Sequence, residues 1–316
     1  MVVTDLHGDW DAYRRYRDCF VDLRSKNQAD WLVFSGDLIH SENPAHDNSL
    51  EIVLDVLDLQ AAYGQEIIYL SGNHELPHIY GINLAKGKRV YTPEFEKDIT
   101  QSQTRERVIS LFDSLPFYVR TKAGVSIAHS GAPALTVSPD DVEKLFNWSH
   151  QTLLEWADNM LAPEDLATLR NGYAKMHEGI PYDTLARYYL AVTGPDDPRY
   201  NDLLRGFIAS SYPTFDHILW AALFTRCEKE YGSSDYTIFL DAMLQELSTE
   251  FFAQQFLVAG HITLKGGYEV ISKRHLRLAS AHHATPREAG QYLLFDAAQP
   301  LKSVNELLTG LDSVFR

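Results

Sequence analysis

The sequence predicts an α/β fold whose sheet is interrupted by a long helical insert, and three observations predict it. Near the N-terminus, continuous apolar runs of strand length alternate with stretches of helical spacing. From about residue 138 to 250 the pattern is helical and rich in tyrosine and tryptophan. Strand-length runs then return at 256–259, 268–271, 276–279 and 292–295. The chain therefore reads as a single domain over 1–316, with a helical insert at 138–250 inside it.

Taken in order, Val2-Val3-Thr4 is a short apolar strand, and Tyr13, Tyr16, Phe20 and Leu23 recur at helical spacing. Trp31-Leu32-Val33-Phe34, closed by Ser35-Gly36, has the unbroken apolar character of a strand buried on both faces. Leu50, Val53, Leu54, Leu57 and Ala61 mark a second helix, and Ile67-Ile68-Tyr69-Leu70 a third buried strand. Residues 117–119 and 125–128 read as a hairpin. Ser138-Pro139-Asp140-Asp141 starts a helix, with a capping serine, proline at the first helical position and an acid three residues after the cap. Gly194-Pro195-Asp196-Asp197-Pro198 is a turn within the insert. A helix at about 303–311 closes the chain.

Composition narrows the function. A chain of 316 residues buries a core without disulfides. Its two cysteines, Cys19 and Cys227, form no paired motif, which argues against a secreted disulfide scaffold. Apolar runs such as 218–224 fall far short of the ~20 residues of a membrane span. No basic segment followed by an apolar one opens the chain, so a cytoplasmic protein with no membrane partner is expected. A net charge of −15 repels phosphate backbones, so no nucleic-acid partner is expected. Thirteen histidines are the one compositional oddity, and their positions must decide what they do.

Those positions follow strand ends. The first strand runs into Asp5-Leu6-His7-Gly8, the second into Gly36-Asp37, and the third into Gly72-Asn73-His74-Glu75. Ala128-His129-Ser130-Gly131 and Ala259-Gly260-His261 follow later strands in the same way. Ligand sites of α/β sheets lie at the carboxyl ends of strands. A lone Asp-x-His or Gly-Asp carries little, but five such pieces in order, each ending a strand, carry chemistry. Oxygen and imidazole donors suit manganese, iron, zinc or nickel rather than a thiolate-seeking ion. Asp5 and His7, two apart on an extended segment, face one side and can hold one ion, while Asn73, His129 and His261 hold another and Asp37 bridges the two. Ions about 3.5–4 Å apart share a water, lower its pKa and clamp a phosphoryl group.

In these blocks the sequence resembles the calcineurin-like metallophosphoesterase superfamily, and within it the phosphoprotein phosphatase branch of bacterial type. Gly260-His261-Ile262-Thr263 leading to Gly267-Tyr268-Glu269 extends the resemblance, and Ser280-Ala281-His282-His283 falls where the family has a substrate-facing loop. It covers roughly 1–135 and 255–297. It implies a four-layer αββα sandwich holding two divalent ions, manganese first, with iron, zinc, nickel or magnesium as alternatives. It also implies that His74 is the general acid rather than a ligand, a role suited to imidazole.

One departure stands out. Where the family has Gly-Asp-x-x-Asp-Arg-Gly, this chain has Gly36-Asp37-Leu38-Ile39-His40-Ser41-Glu42. The aspartate that would orient His74 is missing, and Glu42, Asp47 or Asp9 are candidates to replace it. His40, His46 and His78 read as rim or solvent residues. The phosphate-binding arginine is also missing. Arg226, in a short stretch 218–226 similar to bacterial relatives, is the leading replacement, with Arg89 behind it and His282 and His283 facing substrate. The expected function is a dinuclear-metal phosphomonoesterase acting on a phosphorylated protein or a small phosphate ester, as a serine/threonine or tyrosine protein phosphatase. A dinucleoside-polyphosphate hydrolase is the runner-up, and a metal-binding scaffold without catalysis is disfavoured.

Overall fold

The computed structural model of the protein describes residues 1–134, 139–226 and 228–315, so the cap expected of Ser138, and Cys227, lie outside the described residues. The chain forms two compact units. The first comprises Met1–His74, Leu115–Asn147 and Ile218–Arg316, the second Glu75–Ser114 and Trp148–His217. The helical stretch 138–250 is thus divided. Its middle joins 75–114 in the second unit, and the rest belongs to the first.

The first unit is built on two five-stranded sheets. One runs Leu311–Asp312, Tyr292–Leu293, Val2–Val3, Leu32–Phe34, Ile67–Tyr69, the last three parallel in the register Val2 to Val33 and Val33 to Ile68. The other runs Tyr268–Ser272, His275–Leu278, Phe256–Ala259, Val125–Ala128, Tyr118–Arg120, with a parallel centre and antiparallel edges. The expected hairpin at 117–128 is its edge pair.

Alternation along the strands builds the layers. Val125, Ile127, Phe256 and Val258 turn one way and pack with Val2, Val33, Leu276, Leu278 and Leu293, so the sheets meet face to face. Ala128, Leu257 and Ala259 turn the other way, onto Tyr236, Leu240, Met243 and Leu244 of the helix Glu228–Leu247. On the far side, helix Trp10–Ser25 buries Tyr13, Tyr16 and Phe20, with Tyr13 stacked on Phe34 of the first sheet, and helix Ser49–Tyr63 buries Ile52, Val53 and Val56. Asp9 caps the first of these by accepting from the Ala12 N–H. The unit is the four-layer αββα arrangement.

At the C-terminus the helix is shorter than expected, Val304–Leu308, and the chain then adds Leu311–Asp312 to the first sheet beside Tyr292–Leu293. Two residues carry no periodicity, so this edge strand leaves no trace in the sequence.

The second unit is helical. Leu161, Leu185, Leu190, Leu203 and Leu204 form its core with Tyr182 and Tyr200. Among the described residues no helix is long and apolar enough to cross a membrane.

Candidate metal centre

All five chemistry-bearing strand ends belong to the first unit, and their side chains converge. Asp5 and His7 follow Val2–Val3, Asp37 follows Leu32–Phe34, Asn73 and His74 follow Ile67–Tyr69, His129 follows Val125–Ala128, and His261 follows Phe256–Ala259. The backbone must bend sharply to bring them together. His7, Asp37, His40 and His261 all have positive φ, between 44° and 72°. Non-glycine residues in that region cost of order 1–3 kcal/mol each and persist where surrounding structure enforces them. His7 is therefore not on an extended segment as the spacing suggested; a left-handed turn aims it. Two glycines permit the close approach. A Cβ on Gly36 would lie 2.8 Å from both Gly72 Cα and His129 Nδ1, and one on Gly260 only 2.1 Å from Asp5 Oδ2.

Asp37 is the focus. Its Oδ1 accepts from the His74 backbone N–H at 3.0 Å. Its Oδ2 lies 3.6 Å from His7 Nε2 and 3.5 Å from His129 Nε2, one imidazole from each side. The tautomers follow from the other ring nitrogens. His129 Nδ1 donates to the Ser35 carbonyl at 3.0 Å, and His7 Nδ1 donates to the His40 carbonyl at 3.3 Å. Both rings thus turn a bare Nε2 lone pair toward a carboxylate oxygen. His129 Nε2 also lies 2.9 Å from Asn73 Oδ1 and 3.0 Å from His261 Nδ1, and His7 Nε2 is buried with no hydrogen-bond partner. The lone pairs of His129 Nε2, Asn73 Oδ1 and Asp37 Oδ2 facing one another at these distances repel unless a cation lies between them. A carbonyl behind each ligating imidazole is the usual outer-shell arrangement of a metal histidine. The residues therefore fit divalent ions. The ligand atoms of Asp37, His129 and His261, and those of His7, Asp37 and His74, each lie within 4.8 Å of one another.

Electrostatics agree. Burial is the first cause lowering the pKa of His7, His129 and His261, and neighbouring imidazoles add to it for each, so these rings are held neutral. Burial works to raise Asp5, but His283, His129 and the His261 N–H outweigh it and hold the carboxyl well below its ordinary range. Neutral imidazoles and ionised carboxylates are what a metal requires.

His74 stands beside this set, its Nε2 4.0 Å from Asp37 Oδ2. Its Nδ1 lies 3.1 Å from Nδ1 of His40, which is buried and not at the solvent rim. His40 is thus a partner of His74. Asp47 instead accepts from the Ser41 N–H, and Asp9 pairs with Arg287. His46 is exposed, while His78 is buried in the second unit against Glu96. His282 lies tilted against His7 with ring centroids 4.1 Å apart, and His283 Nδ1 is 3.2 Å from Asp5 Oδ1. Arg226 is exposed, its backbone N–H donating to Glu230. The segment leading to it is tied to the centre, because Ser130, next to His129, donates to the Ala222 carbonyl at 2.6 Å. Arg89 belongs to the second unit and pairs with Glu94.

Sequence reasoning missed the His40–His74 contact. Its signal was present, in a histidine standing where an orienting aspartate was expected, but only a folded turn shows that the two rings meet.

Among solved structures the chain is similar to a mutant cold-active protein tyrosine phosphatase, at 14% identity and a TM-score of 0.49, covering 94% of this chain and 75% of that one. It is also similar to the cold-active protein-tyrosine phosphatase of a psychrophilic Shewanella species, at 15% identity and a TM-score of 0.44, covering 94% and 75%. A protein serine/threonine phosphatase from Saccharomyces cerevisiae, with similarity to human phosphatase PP5, aligns at 13% identity and a TM-score of 0.46, covering 98% and 76%. No curated protein sequence matches. Residues 1–207 match the calcineurin-like phosphoesterase family. That stretch holds four of the five strand-end blocks and more than half of the chain, which belongs to the calcineurin-like phosphoesterase family.

Proposed function

We propose that this phosphoesterase is a dinuclear-metal phosphomonoesterase, hydrolysing phosphate esters of proteins or small molecules. The observation that carries the reading is Asp37 Oδ2, approached by bare imidazole nitrogens at 3.6 and 3.5 Å from two sides. On this reading Asp5, His7 and Asp37 would hold one ion, and Asn73, His129, His261 and Asp37 the other, with manganese the leading metal. When bound, such a pair acidifies a shared water and neutralises the phosphoryl oxygens.

The chain's own residues supply the rest. His74 holds a proton at Nε2 for the departing oxygen. Of two imidazoles joined Nδ1 to Nδ1, one must donate and the other accept. When His40 donates, His74 is left with its proton at Nε2, facing the Asp37 side of the centre. His282, beside His7, and Arg226, downstream of the Ser130–Ala222 hydrogen bond, are the proposed donors to the outer phosphate oxygens, arginine through a planar fork.

A second reading, dinucleoside-polyphosphate hydrolysis, draws on Trp220 and Phe224. These rings stack at 3.7 Å and 6° in the segment that Ser130 anchors, an aromatic surface suited to a base. Turnover of phosphopeptides, para-nitrophenyl phosphate and diadenosine tetraphosphate by manganese-loaded protein tests the choice. Preference for the monoesters supports the first reading. Preference for diadenosine tetraphosphate replaces it with the second, and no turnover of any of them sinks both.

A further inference from the structure

We infer that His283 is a ligand of the ion held by Asp5 and His7, binding through Nδ1, and not a residue that faces substrate. The inference rests on the dinuclear reading and adds one donor to its poorer half. That half has only Asp5, His7 and the shared Asp37, while the other has Asn73, His129 and His261 besides Asp37.

Three observations converge on His283. Its Nδ1 is buried and makes no hydrogen bond, as is His7 Nε2. The two residues also belong to one group, since one ring nitrogen each of His7, His282 and His283 lies within 4.8 Å of the others. His283 Nδ1 is also 3.2 Å from Asp5 Oδ1, close enough for attraction yet outside hydrogen-bond geometry. Two donors each about 2.1 Å from one ion, at right angles or slightly wider, lie about 3.0–3.4 Å apart. The observed separation is that of neighbouring ligands.

The loop is built to hold this position. Ser280 Oγ accepts from the Thr4 N–H at 2.9 Å, and the Ser280 N–H donates to Thr4 Oγ1 at 3.0 Å. The His282 N–H donates to the Asp5 carbonyl at 3.3 Å, and the Leu264 N–H donates to the His283 carbonyl at 2.8 Å. Residues 280–283 are therefore stitched to the strand end that carries Asp5, and Ala281 is buried beneath them. Ordering a ligand before the ion arrives is what a tight site requires. The competing account is an ion pair, with a protonated His283 neutralising Asp5 and no role in metal binding.

Metal content separates the two. Full-length protein, stripped by chelation and then dialysed against graded manganese, is assayed for ions per chain, with melting temperature recorded for each variant. The wild type is expected to bind two ions. His283→Ala should bind the weaker of the two at least about tenfold less tightly, since even outer-shell losses cost 10–100-fold. The spin-coupled dimanganese resonance should fade with it. His283→Asp, which restores an oxygen donor, should regain the second ion, and His282→Ala should keep both. A folded His283→Ala holding two ions with unchanged affinity overturns the inference in favour of the ion pair. Equal weakening in His282→Ala overturns it as well, because the loop would then act only as scaffold. Where His283→Ala does not fold, a folded His283→Asp that binds one ion also overturns it. A wild type that binds fewer than two ions fails the dinuclear reading itself, and the inference with it.

Discussion

Buried histidines occur in both units, and they are buried for different reasons. In the helical unit each nitrogen described meets a matched partner. His78 Nδ1 meets Glu96 Oε1 at 2.8 Å, and the Tyr80 hydroxyl donates to His150 Nδ1 at 2.7 Å. Glu96 also accepts from Arg105 and Arg199, so that carboxylate is surrounded by donors; burial works to raise it, yet His78 and Arg105 hold it low. At the strand ends the pattern is inverted. His129 presents Nε2 to His261, Asn73 and Asp37, and His7 presents Nε2 to the same Asp37 oxygen, with more acceptors than protons to share. A buried histidine with a matched partner is architecture. Several with unmatched lone pairs aimed at one point fit a cation. Burial alone does not distinguish the two cases.

The largest effect is expected at Asp37. Asp37→Asn should lower metal content and remove nearly all phosphatase activity, measured with para-nitrophenyl phosphate, because both ligand sets lose their shared anion. Full activity after exhaustive chelation would end the contrast. Next in size is His74→Asn, which should keep both ions but lose about 10²–10⁴-fold in kcat, the usual contribution of general acid catalysis. The loss should be greater for alkyl than for aryl phosphates, since an alkoxide leaves poorly without a proton. Equal losses would return His74 to a turn residue.

The helical unit supplies the opposite behaviour. His78→Ala strips a donor from buried Glu96 and should cost about 1–3 kcal/mol of stability by denaturant titration, with two ions still bound. Loss of metal in that variant would blur the distinction. His150 predicts an acid limb. Burial lowers its pKa from 6.5 to about 4, so between those values the unfolded chain binds the proton and the folded chain does not. His150 should therefore withdraw stability as pH drops from 6.5 toward 4, by about 3 kcal/mol at most, and His150→Gln should make the acid limb shallower by that share. The smallest effect expected is at Arg226. Arg226→Ala should raise KM for phosphate esters severalfold and weaken inhibition by free phosphate at unchanged metal content. If neither moves, Arg226 is a solvated surface residue and the phosphate is held by the ions and His282.

Much of the sheet was legible because buried parallel strands are short unbroken apolar runs. Leu32–Phe34, Ile67–Tyr69 and Phe256–Ala259 announce themselves in that way, and Asp37, Asn73 and His261 follow them by three, four and two residues. The identity of the donors was legible for the same reason, since a strand end delivers whatever residue comes next. The fate of the helical stretch was not. Residues 148–217 and the helix Glu228–Leu247 share a helical pattern, yet the former join 75–114 while the latter lies on Leu257 and Ala259. Helical periodicity shows that a face is apolar and is silent on what covers it.

What the sequence determined by itself, then, is the set of elements and the chemistry placed at their ends, because both are local properties of a few adjacent residues. What only the tertiary structure decided is which of thirteen histidines meet. His78 and His74 are four residues apart, and one pairs with Glu96 while the other faces Asp37 and His40. His283 is 278 residues from Asp5 and lies 3.2 Å from it. Such pairings arise from sheet order and left-handed turns, and these set distances in space that sequence separation does not encode.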